Sequence, residues 1–102
     1  MKSQEFIGKK VIVRCNRAGV FFGTLKEYDN ANREATLADV RRIWYWDGAA
    51  SLSQLAIDGT NAPRSCKFTV TVPEMAVMEV IEIIPCTDTA IKSIEEVAAW
   101  KR

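Results

Sequence analysis

Period-two alternation dominates the first half of the chain. Over Lys10–Cys15, residues Val11, Val13 and Cys15 fall on one side and Lys10, Ile12 and Arg14 on the other, which predicts a strand with one face towards a core. Asn16-Arg17-Ala18-Gly19 follows with turn chemistry, Gly19 being free to take positive φ. Val20–Lys26 reads as a second strand, rich in β-branched and aromatic residues, and Gly23 within it marks a bulge or a sharp bend. Beyond the polar turn Tyr28–Arg33 lie a third short strand, Glu34–Ala38, and almost at once the segment Arg41–Trp46.

Gly48 interrupts this pattern, and Ser51-Leu52-Ser53-Gln54 has the form of a capping box, with Ser51 accepting from the Gln54 amide and the Gln54 side chain reaching back to the Ser51 amide. The helix it starts is short: Leu52, Leu55 and Ala56 form its apolar face and Gly59 stops it. Further strands are expected over Cys66–Val72, ended by Pro73, and over Val77–Ile84, ended by Pro85. Thr87 or Asp88 then caps a last helix whose stripe Ile91, Ile94, Val97 and Ala98, extended by Trp100, must pack on something. The pattern predicts a single α+β domain over residues 1–102, β-rich, with a small antiparallel barrel-like or Greek-key sheet of about five to six strands and two short helices. Three short antiparallel strands with a bent second one are how barrels of the SH3 or Sm type begin, an architecture that hosts unrelated functions.

Composition narrows the chemistry. Hydrophobic content of 48% and charged content of 26% suit a folded globular chain. A net charge of +1 argues against a long nucleic-acid track, so any anion site is local. No apolar run approaches the roughly 18–20 residues of a membrane span, and the start Met-Lys-Ser-Gln-Glu-Phe lacks a signal segment, so a cytoplasmic protein is expected. Cys15, Cys66 and Cys86 are widely spaced, which predicts reduced and mostly buried thiols. With no histidine the usual general base is gone and so is the commonest metal ligand. Asp29, Asp39, Asp47 and Asp58 are scattered rather than paired. No metal, cofactor or catalytic residue is therefore assigned, and the balance moves towards binding.

Binding chemistry concentrates in Arg41-Arg42-Ile43-Trp44-Tyr45-Trp46-Asp47-Gly48. As a strand it puts Arg42, Trp44 and Trp46 on one face and Arg41, Ile43 and Tyr45 on the other. Flat π surfaces beside planar cations are what holding a nucleotide requires, by base stacking and charge-assisted phosphate bonds. Arg41, Arg42 and Arg64 are candidates for phosphate; Trp44, Trp46 or Phe22 for a base; Ser53, Gln54 and Lys67 for polar contacts to ribose. Arg17, at the tip of the first hairpin, is a further candidate. Each has a plainer reading: core tryptophans under the short helix, and arginines in surface ion pairs worth little energetically.

The segment Arg41 to Ala56, with Cys66-Lys67-Phe68, Ile81-Glu82-Ile83-Ile84-Pro85-Cys86-Thr87, Ser93-Ile94-Glu95 and Trp100, resembles a family of small phage and prophage proteins. Within that setting the chain resembles the phage Thoeris anti-defence sponges. The resemblance implies an immune-evasion protein, acting in the infected bacterial cytoplasm, that holds cyclic ADP-ribose isomers unmodified. It also implies a homo-oligomer with ligand at subunit interfaces, and cyclic oligonucleotides as a second ligand class. Nanomolar retention would need about −12 kcal/mol. A chain of 102 residues has little concave surface for that, so two copies enclosing the ligand, with the C-terminal helix and Trp100 as interface, is the expected arrangement.

Two rivals remain. An Sm- or SH3-like module binding RNA or a protein partner is supported by the strand–bulge–strand start and by ten basic against seven acidic groups in residues 1–64. A nucleotide-degrading enzyme would consume the ligand, and the missing histidines argue against it.

Overall fold

The structure, a computed structural model, describes residues 2–102. A 3-10 turn over Lys2–Phe6 leads into β1 (Lys10–Cys15), β2 (Gly19–Asp29) and β3 (Glu34–Tyr45). Helix α1 (Leu52–Asp58) and a 3-10 turn at Pro63–Ser65 precede β4 (Lys67–Phe68), β5 (Val72–Val77) and β6 (Val80–Pro85), and α2 (Asp88–Glu95) closes the order. All six strands join one antiparallel sheet, in the order β4-β3-β2-β1-β6, with β5 also on β3. β5 and β6 are outer strands at opposite ends, yet only Met78 and Glu79 separate them in the chain. Two residues can bridge the ends of such a sheet only if it is strongly bent, so the sheet curls into an open barrel. This is the β-rich α+β architecture expected from the sequence.

Both faces of the curl are buried. Val11, Val13, Cys15, Phe21, Leu25, Ala35, Leu37, Val40, Val77 and Val80 fill the first core. On the other face Ile12, Phe22, Ile43 and Phe68 meet Leu55 and Ala56 of α1 and Ile94 of α2. Ile12, expected opposite the core, is therefore fully buried by the helices.

One bulge sets the faces of β3. At Gly23 the pairing steps from Phe22↔Arg41 to Thr24↔Ala38, one residue more on β3 than on β2. A Cβ on Gly23 would stand 3.0 Å from the Ala38 carbonyl oxygen, so a larger residue there would press on the β3 backbone. The extra residue on β3 is accommodated where Asp39 takes φ 51. Its effect is to invert the alternation: Ala35 and Leu37 face the first core, and after the bulge Val40 does so while Ile43 faces the second.

The helix caps match the sequence chemistry in part. Ser51 Oγ accepts from the Gln54 amide at 3.1 Å, but Gln54 Oε1 accepts from the Ala50 amide at 2.8 Å instead of that of Ser51. Thr87 Oγ1 accepts from the Ala90 amide and donates to the Ile57 carbonyl, so one hydroxyl caps α2 and ties it to α1.

Four expected boundaries move, the first because β2 runs on past Lys26 to Asp29, into the turn expected over Tyr28–Arg33. Glu34–Ala38 and Arg41–Trp46 are one bulged strand. The strand expected over Cys66–Val72 shrinks to Lys67–Phe68, and Pro73 sits inside β5, an outer strand where a missing N–H is tolerated. Val77–Ile84 is divided because Glu79 takes φ 58 in a turn clamped by Arg17, whose Nε and Nη2 donate to Glu79 at 3.0 and 2.6 Å.

Candidate functional site

The segment Arg41–Trp46 divides between interior and solvent. Arg41 and Ile43 are buried; Arg42, Trp44 and Tyr45 are exposed; Trp46 is half-buried against the second core. Alternation holds through Trp44, and Tyr45 is exposed as well, against expectation, because the pairing with β4 steps from Ile43↔Phe68 to Tyr45↔Lys67, one residue more on β3 than on β4.

Trp44 does not stand alone. After α2 the chain returns along β4, with a bridge between Phe68 and Ala99 and the Trp100 amide donating to the Phe68 carbonyl at 2.8 Å. This brings the Trp100 ring to 5.0 Å from that of Trp44, with the planes tilted by 30°. Lys67 Nζ lies 5.2 Å from the Trp44 ring and 5.4 Å from the Trp100 ring. Trp44 is 58% and Trp100 43% exposed, so two indoles and an ammonium form an accessible platform. Arg42, further along β3, holds its guanidinium over Phe21 at 4.9 Å. Lys101 and Arg102 follow Trp100 and are exposed. Base stacking on indole and attraction of phosphate by the flanking cations is the chemistry this platform supports.

Arg41 takes a different role from the phosphate contact expected of it. It is 6% exposed, and Nε, Nη1 and Nη2 donate to the carbonyls of Thr69, Ile94 and Phe68 at 2.9, 2.9 and 3.3 Å. The Ile94 carbonyl lies in the last turn of α2, where a cation is favoured by the helix dipole. Burial holds the Arg41 pKa below its ordinary value. An anionic partner is thus unnecessary for burying this arginine: three carbonyls suffice.

The remaining candidates scatter. Phe22 is 1% exposed in the second core and cannot present its face to a base there. Arg17 is engaged by Glu79, whose carboxyl that pairing holds below its usual range. Ser53, Gln54 and Arg64 are exposed on α1 and the following 3-10 turn, and Gln54 is engaged with Ala50 and Asp58. Arg64 has no ion-pair partner among the described residues. Ile94 and Val97 of the C-terminal stripe pack inside their own chain, and α2 ends at Glu95, so that face is not free to form a subunit interface. Trp100 is the site residue that sequence reading placed elsewhere. Its distance from Lys67 in the chain hides a pairing made only by the return along β4.

Among the described residues no cluster of metal-ligating side chains occurs, and no helix is long and apolar enough to cross a membrane. Cys15, Cys66 and Cys86 are free thiols; burial pushes Cys86 up to about 12.

Residues 8–94 match the model of a domain of unknown function, DUF6948. The chain belongs to the DUF6948 family. No curated protein matches it. Among solved structures this DUF6948 chain is similar to a heptameric archaeal Sm protein, at 23% identity and a TM-score of 0.55, over 84% of this chain and 97% of that one. It is likewise similar to the SmAP1 heptamer of P. aerophilum, at 23% identity and a TM-score of 0.55, over 84% of this chain and 89% of that one. The fold of the DUF6948 chain is therefore Sm-like.

Proposed function

We propose that the chain is a self-assembling Sm-like module that binds single-stranded RNA without chemical turnover. The observation that carries this reading is the Trp44–Lys67–Trp100 platform on an Sm-like sheet. Both similar structures are heptamers, and one is described in relation to the eukaryotic snRNP core. β5 and β6 each have a single sheet neighbour, so each keeps one edge able to pair with another copy. Ile81, 45% exposed on β6, and Met78, 53% exposed in the adjoining turn, gain cover by such pairing. Assembly also answers the charge objection. A net +1 on one chain is weak, but a ring repeats Lys67, Arg42 and two indoles in every copy, and linked weak sites bind a strand far better than one.

A second reading keeps the same platform and changes the ligand: sequestration of a cyclic ADP-ribose-type signal in an infected bacterial cell, as the resemblance to the anti-defence sponges implies. The near-neutral charge favours it, because one adenine and one diphosphate need only local cations. The Sm-like fold supports the RNA-binding module more directly.

Fluorescence anisotropy with a labelled oligouridylate tests the first reading. Binding should weaken steeply with salt, and Trp44→Ala should cost about 1–3 kcal/mol of affinity. An oligouridylate that never binds, alongside glycocyclic ADP-ribose recovered intact on heating the complex, would transfer the assignment to the second reading.

A further inference from the structure

A second site lies on the other face of β3. A cleft of about 250 Å³ is lined by Lys10, Phe22, Asp39, Arg41, Thr71, Glu95, Val97 and Ala99. That is below the roughly 300–1,000 Å³ of sites for drug-sized ligands, so the cleft suits a small one.

Its charges are balanced and built in. Arg41 is fixed by three backbone carbonyls, which engage three of the five N–H donors of a guanidinium and leave two for a ligand. Among the described residues it forms no ion pair. Lys10 Nζ stands 3.3 Å from Glu95 Oε2 and 5.8 Å from the centre of the Phe22 ring. Asp39 is placed at the cleft by the bulge that gives it φ 51. The lining thus carries two cations, Arg41 and Lys10, and two carboxylates, Asp39 and Glu95, with Ala99 exposed beside them and the buried Phe22 and Val97 behind.

That distribution selects by charge. A diphosphate would be attracted by the cations and repelled by both carboxylates, and a simple amine would meet the reverse. A molecule holding both charges a few bonds apart satisfies all four groups. We propose that the cleft binds a small zwitterion of the α-amino acid type. Its carboxylate meets the free N–H groups of Arg41 and shares Lys10 with Glu95, its ammonium meets Asp39 and Glu95, and its aliphatic side chain lies against Ala99. The site is independent of the aromatic platform and of what that platform binds.

Calorimetry on the full chain with L-leucine, N-acetyl-L-leucine and L-leucinamide tests this. Leucine should bind, and removing either charge should weaken binding about tenfold or more. Asp39→Asn, which keeps a residue tolerant of positive φ and so preserves the bulge, should weaken leucine about tenfold while leaving the far-UV circular dichroism unchanged. Absence of leucine binding overturns the proposal. So does N-acetyl-leucine binding as tightly as leucine, which would mark a plain anion site. Leucinamide binding as tightly would mark a plain cation site and overturns it equally.

Discussion

Replacing Arg41 with methionine measures what its three bonds to carbonyls contribute to the fold. The substitution keeps a flexible side chain in the space but removes every donor. The cost depends on which carbonyls lose their last partner. The Ile94 carbonyl still accepts from the Val97 amide at 3.2 Å, and that of Phe68 from the Trp100 amide at 2.8 Å. The Thr69 carbonyl accepts from Arg41 Nε, and the variant removes that donor. One orphaned carbonyl costs about 1–3 kcal/mol and the two remaining lost bonds about 0.5–1.5 kcal/mol each, a gross cost of about 2–6 kcal/mol. Relief from burying a charge offsets part of this, so the net expectation is a loss of about 2–4 kcal/mol. For a chain of 102 residues that corresponds to a fall in Tm of at least about 8 °C. Thermal and urea unfolding followed by circular dichroism measures it, and tryptophan fluorescence reports whether Trp100 leaves its place. Arg41→Lys should lie between the two, because one ammonium cannot span three carbonyls. A methionine variant within about 0.5 kcal/mol of the parent would refute the structural role.

Other substitutions probe separate parts of the account. Ile81→Asp, on the exposed side of β6, should convert an assembled ring to single chains in light scattering, with the stability of the single chain changed by less than about 0.5 kcal/mol. Gly59→Ala should cost about 2–4 kcal/mol in urea unfolding, because Gly59 has φ 75 and ψ −156 and an added Cβ would collide with Ser93 on α2. Cys86, neutral when folded up to about 12 against 9.0 for an ordinary thiol, ionises first in the unfolded chain. Its contribution is therefore complete below about pH 9 and is lost as pH rises towards about 12. Stability of the parent should fall faster than that of Cys86→Ala across this window, and parallel curves would show the thiol to be accessible.

Local signals carried the sequence reading where structure is made locally. Gly19 at φ 104, the Ser51 and Thr87 caps, Gly59 after α1 and the bulge at Gly23 all follow from residue types acting on their own neighbours. What stayed hidden is long-range. Nothing in Ala38-Asp39-Val40 announces a left-handed aspartate, yet that residue decides that Arg41 faces the helices and Trp44 the solvent. Pro73 signals a strand end in the sequence, whereas its tolerance inside β5 depends on that strand being an outer one, a property of the whole sheet. Arg41, Arg42 and Arg64 looked alike in sequence. Burial and three carbonyls distinguish the first, an aromatic ring the second, and an exposed turn the third.

Assembly and ligand binding are both read at once by native mass spectrometry. The full chain would be mixed with equal concentrations of oligouridylate and glycocyclic ADP-ribose and sprayed from a volatile buffer. The account predicts a closed multimer carrying oligouridylate, and loss of that adduct in Trp44→Ala with the multimer intact. A single chain without ligand, or a multimer carrying only the cyclic nucleotide, would contradict it.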